Sequence, residues 1–447
     1  MESIPISRLP VAVVGGGVAG ISAAFHLARA GIPTVLLERS QQLGGRASSY
    51  FDRDFGLQLD LGPHVIAGAY RDFLALLRGL GTDRDLLWIH PLHLPFKGTD
   101  TPEYHLRFLR LPGLLAPLGG LLSYGALPLA QRFDLVSQLR RLLSTRPVPA
   151  LTAEAWLKGV GVTPAQMSRF WQPFILATLN ALPRQVGVIG LRQIIELGRS
   201  EPDGFALGIP TKAWQDIVGS AALSYLRQHG IDVHLRAKVT GIAVEGNRAC
   251  AVFVDGKRVE VSAVILAVSP WDWKSVLTPG QFESLLNRVW LTPPAAGIHA
   301  VHLLCDQPPT TAPMFGLFGT VNQWVFASRL SEGERPWLVS TVVSGSGGLF
   351  EYTADEVISM TIKELQDIWP HFRADVSKST CVRVQRGTCP FEADLEEQRP
   401  TQKTRVRGLF LAGDSTATGL PATLESAARA GRFAVQALRE APGGNLP

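Results

Sequence analysis

The apolar positions begin as short unbroken runs. Val11–Val14 is apolar throughout and leads directly into Gly15-Gly16-Gly17-Val18-Ala19-Gly20. Short apolar runs bounded by turn residues read as buried strands. Ile21–Ala30 then has helical spacing and stops at Gly31, and Thr34–Glu38 reads as a second buried strand. Together they make one βαβ unit of about thirty residues, with a right-handed crossover. From residue 60 to 205 leucine, proline and tryptophan become frequent, and helical spacing appears at Arg71–Leu80, Leu129–Leu143 and Thr163–Leu179. A mostly helical insert is expected there.

A capped amphipathic helix is expected within Gly208–Gln228, after a turn. Short strands follow at Asp232–Leu235, Lys238–Val244, Ala249–Val254 and Arg258–Val261, the last two joined at Asp255-Gly256. Val264–Val268 is another buried strand. Between 290 and 400 strands alternate with one long helix, Asp355–Trp369, and Gly408–Ala412 is a buried strand that enters a loop and a closing helix. There is no internal repeat and no low-complexity tract.

At 447 residues the chain is too long for a single ordinary core. Two discontinuous domains are predicted. Residues 8–60, 206–288 and 402–447 form a dinucleotide-binding domain. Residues 61–205 and 289–401 form a substrate domain with an apolar helical part. The chain is 46% hydrophobic and only 18% charged, against about 25% charged in ordinary soluble domains. Such a composition suits a large apolar ligand site or contact with a bilayer.

Net charge is +5 and the pI about 9.1, which favours anionic partners such as acidic lipid surfaces. The basic residues are scattered and form no long block, so nucleic acid is not expected as a partner. Cys250, Cys305, Cys381 and Cys389 make no C-x-x-C pair, which argues against a zinc site or disulfide framework and fits a reducing cytosol. The first ten residues, broken by Pro5, Arg8 and Pro10, do not read as a signal peptide. Residues 111–131 carry no charge but include Pro112, Pro117 and Pro128. Each interior proline costs a helix about 3 kcal/mol, so a membrane-spanning helix is rejected there. Core packing, a tunnel wall and a membrane-contact patch remain open for that segment.

Gly15, Gly17 and Gly20 make G-x-G-x-x-G after a strand and at the start of a helix. The glycines provide a tight turn, close approach of backbone to a pyrophosphate, and close helix–strand packing. Val18 and Ala19 begin the helix whose N-terminus faces the phosphates. Glu38, ending the next strand, is placed to accept hydrogen bonds from ribose hydroxyls.

The continuation Glu38-Arg39-Ser40 … Leu43-Gly44-Gly45-Arg46 resembles the extended fingerprint of the amine oxidase and phytoene desaturase superfamily of flavoproteins. That resemblance implies FAD and an α/β fold. It implies a Rossmann-like FAD-binding domain of the glutathione reductase type, in discontinuous segments, with a second α+β substrate domain. In that family the Gly44-Gly45-Arg46 turn covers the diphosphate, and the arginine neutralises it. Leu409–Asp414 resembles the strand whose loop, here Gly413-Asp414, contacts the ribityl chain. Thr423 and Leu424 fall where the family's last helix points its N-terminus at the flavin, and Val239 falls where backbone contacts adenine.

Three further segments are similar to the squalene-associated branch, the hydroxysqualene dehydroxylases. They are Gly62-Pro63-His64-Val65-Ile66-Ala67-Gly68-Ala69-Tyr70, Trp171-Gln172-Pro173-Phe174 and Thr418–Glu425. The resemblance places Gly62, Pro63 and His64 among the cofactor contacts, on a loop near the flavin ring, although Pro63 stands where that branch usually has glutamine. The resemblance spans essentially the whole chain and implies replacement of an allylic-type hydroxyl by hydride. It implies a long apolar isoprenoid substrate and an acid that assists departure of the hydroxyl, for which His64 is the candidate and Tyr70 a weaker one; Glu425, in the first turn of the closing helix, is placed to contact flavin or substrate, or simply to favour that helix start. The cytoplasmic face of the membrane is the expected location. With a single dinucleotide fingerprint, electrons are expected from transiently bound NAD(P)H or a partner reductase. Rival readings are a carotenoid desaturase, an amine oxidase and a non-catalytic lipid-binding escort.

Overall fold

The structure, a computed structural model, describes residues 9–109, 115–144, 148–285, 294–330, 336–372, 376–390, 393 and 395–441. Strand β1 (Val11–Val14), helix α1 (Val18–Arg29) and strand β2 (Thr34–Glu38) form the expected βαβ unit. They belong to a five-stranded, all-parallel sheet. Its order is Asp232–Leu235, β2, β1, Ala263–Leu266, Leu409–Leu411. The outer strands therefore come from the middle and far end of the sequence.

Because strand side chains alternate, this sheet divides its apolar residues between two cores. Val11, Val13, Leu36, Ile265 and Phe410 face α1 and the closing helix Leu424–Arg439. Ala12, Val14, Leu37, Val264 and Leu411 face a three-stranded antiparallel sheet made by Val239–Glu245, Arg248–Val254 and Lys257–Glu260. All four residues of β1 are buried, each valine contributing about 1.5–3 kcal/mol. The closing helix lies against α1 because both present small residues. A side chain at Gly431 would overlap the Ala19 carbonyl oxygen, and Ser22 Oγ donates to the Ala428 carbonyl at 2.7 Å.

The second region centres on a seven-stranded mixed sheet. In order it runs Val376–Thr388, Ala296–Cys305, Trp337–Ser344, Trp324–Arg329, Phe315–Leu317, His93–Lys97, Tyr104–Arg107. One face packs on the helix Ala354–Ile368 through Val301, Leu303, Val339 and Leu365. The other face meets the helices of residues 115–199 in a large apolar core that includes Phe96, Leu121, Leu135, Trp171, Leu191 and Trp324.

Several expectations change. The insert is not purely helical. Ile66–Ala67, Leu86–Ile89, His93–Lys97 and Tyr104–Arg107 are strands, and most pair with segments more than a hundred residues away, beyond the reach of local periodicity. Thr163–Leu179 is not one regular helix. Met167–Trp171 forms a wide π-type turn between Pro164–Gln166 and Gln172–Leu179. Leu207–Pro210 is a strand, a second wide turn spans Gln215–Ser220, and the regular helix is confined to Ala221–Gln228. Of the apolar segment 111–131, residues 115–123 are helical and 111–114 lie outside the described residues. Among the described residues no helix is long and apolar enough to cross a membrane.

Candidate active site

A cleft of about 540 Å³ opens at the carboxyl ends of β1, β2 and Ala263–Leu266. This is where open parallel sheets bind ligands. Gly15, Gly17, Val18 and Ala19 line it, as do Glu38, Arg39, Gly44, Gly45 and Arg46, and from farther along Val239, Gly413, Asp414, Thr423 and Leu424. The structure thus gathers these sequence-predicted residues in one place. Gly20 does not line the cleft; a side chain there would overlap the Gly15 carbonyl oxygen, so its task is packing beneath the turn. Gly62 and Pro63 lie on the wall of a neighbouring cavity instead.

The glycine turn is shaped for an anion. Gly15 has φ +107°, a conformation that favours glycine. A side chain at Gly17 would meet nothing within 4 Å, whereas one at Gly15 would reach the Ala267 backbone at 2.8 Å. The open space therefore lies in front of the N-terminus of α1, whose N-cap residue Gly17 supplies no side-chain acceptor. Glu38 is held rigidly, accepting from Gly16 N–H at 2.6 Å and from Ser40 N–H at 2.8 Å.

Arg46 Nη2 donates to Asp414 Oδ1 at 2.6 Å, and its Nη1 to the Gly387 carbonyl at 2.9 Å. The resemblance pointed each of these two charges at a different part of the cofactor; here they also hold each other. Pairing with Asp414 keeps the guanidinium firmly charged despite burial. Arg399, which sequence reading missed, is buried and donates to the backbone carbonyls of Asp414 and Leu420, bracing the loop that carries Asp414. No periodicity marks such a residue.

A second cavity, of about 410 Å³, lies between the seven-stranded sheet and the helical layer. Its lining is mainly apolar, with Leu94, Phe96, Leu121, Phe174, Ile195 and Trp324 among its walls. The two cavities share His64, Gly387, Thr388, Ala422, Thr423 and Leu424. A reacting group in one can therefore meet a chain in the other across that wall.

Thr423 caps the closing helix, accepting from Ser426 N–H at 3.1 Å, and that helix N-terminus favours negative charge at the wall. His64 Nδ1 lies 2.6 Å from the Gly62 carbonyl, so the ring hydrogen sits on Nδ1. Among the described residues nothing hydrogen-bonds its Nε2. Burial, and then the charge of Arg46, lower its pKa, while the Gly62 carbonyl works the other way. At neutral pH it is a neutral imidazole.

Tyr70 lines the apolar cavity, and burial beside Glu425 raises its phenol so that it stays protonated. Glu425 lines neither cavity. It is fully buried and accepts from the N–H groups of Asp72 and Phe73 at 3.2 and 3.0 Å, capping the helix Arg71–Leu80. Among the described residues no cluster of His, Cys, Asp or Glu could hold a metal.

The profile of the family described as flavin containing amine oxidoreductase matches residues 18–439. The hydroxysqualene dehydroxylase of Zymomonas mobilis is 26% identical over 440 residues, covering 94% of this chain and 97% of that protein. A 15-cis-phytoene desaturase of an Oncidium hybrid cultivar is 24% identical, covering 97% of this chain but 78% of its own length. Among solved structures, an oxidoreductase from Methanosarcina mazei superposes with a TM-score of 0.75 at 17% identity, covering 97% of this chain and 100% of that one. The open glycine turn, the fixed Glu38 and the helix N-terminus at the shared wall fit the parts of a flavin dinucleotide. The chain therefore belongs to the flavin containing amine oxidoreductase family and is an FAD-dependent oxidoreductase.

Proposed function

We propose that this protein reductively removes the hydroxyl of a long isoprenoid alcohol, converting hydroxysqualene to squalene. The observation that carries the reading is the apolar cavity that ends on a wall shared with the dinucleotide cleft. The near-complete mutual coverage with a dehydroxylase, against the partial coverage of the desaturase, favours this substrate over a carotenoid precursor.

In sum, R–OH, hydride and a proton give R–H and water. Bound FAD, when reduced, supplies hydride chemistry. Gly15, Gly17, Glu38, Arg46, Val239 and Asp414 would hold it. The protein's own part is to orient the C–O bond, exclude water and assist the oxygen's departure. His64 is the candidate at that oxygen. As a neutral imidazole it accepts the hydroxyl hydrogen at Nε2; as an acid it must first be protonated, which burial opposes. The two roles separate by pH. An acid role makes turnover rise as pH falls towards the lowered pKa, whereas an orienting role leaves turnover flat or falling. His64→Ala slows turnover with FAD retained in either case; unchanged turnover removes His64 from the mechanism.

The same reading includes peripheral contact with the inner face of the cytoplasmic membrane. Leu115, Leu129 and Phe133 are 56%, 60% and 58% exposed on two helices that also supply Leu121 and Leu139 to the cavity wall. Exposed apolar side chains on such helices suit insertion among lipid headgroups. Loss of anionic-liposome binding in a Leu129→Ser/Phe133→Ser variant supports this, and absence of binding by the unaltered protein overturns it. The electron source is proposed to be NAD(P)H or a reductase. The test of the function is anaerobic turnover of hydroxysqualene with chemically reduced FAD, followed by gas chromatography–mass spectrometry. Squalene formed in step with flavin oxidation supports the reading. A reduced flavin with no squalene redirects it to desaturation.

A further inference from the structure

Thr388 ends the long strand Val376–Thr388 and lines both cavities. Its Oγ1 lies 2.9 Å from Asn180 Nδ2. An amide can be placed either way round, and here its surroundings decide. Asn180 Oδ1 lies 2.9 Å from the N–H of Gly345, which can only donate, so Oδ1 accepts there and Nδ2 must face Thr388 and the Ala296 carbonyl. Asn180 is itself fixed. It closes the helix Gln172–Leu179 at φ +51°, a left-handed position that asparagine tolerates, and it is 7% exposed.

The Thr388 oxygen is thus an acceptor towards Asn180, and its own hydrogen must point elsewhere. Among the described residues no acceptor receives it. Thr388 lines the space common to the two cavities, which is where that hydrogen can meet a ligand. A donor held there, in largely apolar surroundings, matches a lone oxygen on an otherwise hydrocarbon ligand.

We propose that Thr388 donates a hydrogen bond to the alcohol oxygen of the substrate, with Asn180 as the positioning residue that turns the threonine hydrogen outward. This rests on the reading of the substrate as an isoprenoid alcohol and names the contact that would recognise its hydroxyl. It also complements His64, whose Nε2 offers an acceptor on the same wall. A hydroxyl donates to one and accepts from the other, which a hydrocarbon or a carotenoid precursor cannot do.

The test uses the FAD-loaded protein, titrated separately with hydroxysqualene and squalene, binding being read from the flavin absorption spectrum. Thr388→Val should weaken hydroxysqualene binding about tenfold, the size of one neutral hydrogen bond, and leave squalene binding unchanged. Thr388→Ser should restore the alcohol's affinity. Asn180→Asp keeps an acceptor for Gly345 but turns the Thr388 hydrogen inward, and should reproduce the valine effect with FAD content intact. Equal losses for alcohol and hydrocarbon, or no change, overturn the proposal, and so does loss of FAD from all three variants. Anaerobic turnover by the unaltered protein judges the dehydroxylase reading separately. Selective loss of alcohol binding without squalene formation would sink the reaction and keep the contact.

Discussion

The dinucleotide cleft and the apolar cavity are of similar size and share a wall, yet they are built in opposite ways. The cleft is largely backbone: a glycine turn, two helix N-termini and a few fixed charges. The cavity is walled mainly by apolar side chains, drawn from both the mixed sheet and the helical layer. Backbone sites demand particular residues at particular spacings. Side-chain sites demand only apolar volume, which many sequences supply.

The largest effect should come from the packing beneath the cleft. Gly20→Val places a branched side chain on the Gly15 carbonyl, and should cost several kcal/mol, on the order of 4 or more, giving insoluble or FAD-free protein. Gly17→Ala, by contrast, points into open space. It should leave thermal stability of the FAD-free protein unchanged while lowering the 450 nm absorbance of the purified protein. If both variants behave alike, the distinction between packing and ligand-facing glycines fails.

On the cavity side, Thr178→Trp fills the apolar space from the helix Gln172–Leu179. Turnover of a long-chain substrate should fall about a hundredfold, roughly 2.7 kcal/mol, with FAD content unchanged. Full activity would mean that the chain lies elsewhere.

The first βαβ unit and its glycine turn were legible because their signals are local. Val11–Glu38 reads as strand, glycine turn, helix and strand, with the helix beginning at Val18 rather than Ile21 and both strands as expected. The wall between the cavities was only half legible. His64, Thr423 and Leu424 came from resemblance, but Thr388 and Asn180 are 208 residues apart and neither sits in a motif. Glu425 shows the converse. Its place at the start of the closing helix suggested the flavin, but its carboxylate caps a helix 352 residues earlier in the sequence. The π-type turns at 167–171 and 215–220 are only five and six residues long, too short for their wider spacing to stand out as a period of its own in the apolar pattern.

Arg46→Met tests the charged edge of the cleft. It leaves the nearly buried Asp414 without its 2.6 Å partner, and should cost about 1–3 kcal/mol in the FAD-free protein. An unchanged melting temperature would show that Asp414 is satisfied without Arg46.

The smallest effect is a slope. His302 is buried on the mixed sheet, bonded to Ser340 Oγ at 2.8 Å and the Asp60 carbonyl at 3.0 Å. Burial lowers its pKa from 6.5 to about 4. An unfolded histidine takes up a proton below 6.5 and the native one does not. Stability is therefore fully present above pH 6.5 and declines as pH falls towards 4, by about 1.4 kcal/mol per pH unit at most. Denaturant midpoints at pH 7 and 5 should show the decline, and His302→Gln should flatten it.

The hydrogen bond from Ser22 to Ala428 spans 406 residues, and with Gly431 against Ala19 it is how the closing helix meets α1. For a polypeptide leaving the ribosome, that distance is time. At about 5–20 residues per second, α1 waits on the order of half a minute for the helix that covers it. Throughout that interval the glycine turn exists without the strand and loop that complete its cleft, and for the later part of it the apolar helices of residues 115–199 are already made. Cofactor capture is thereby placed after synthesis of the closing helix, and a chaperone that shields the earlier segments has a defined window in which to act.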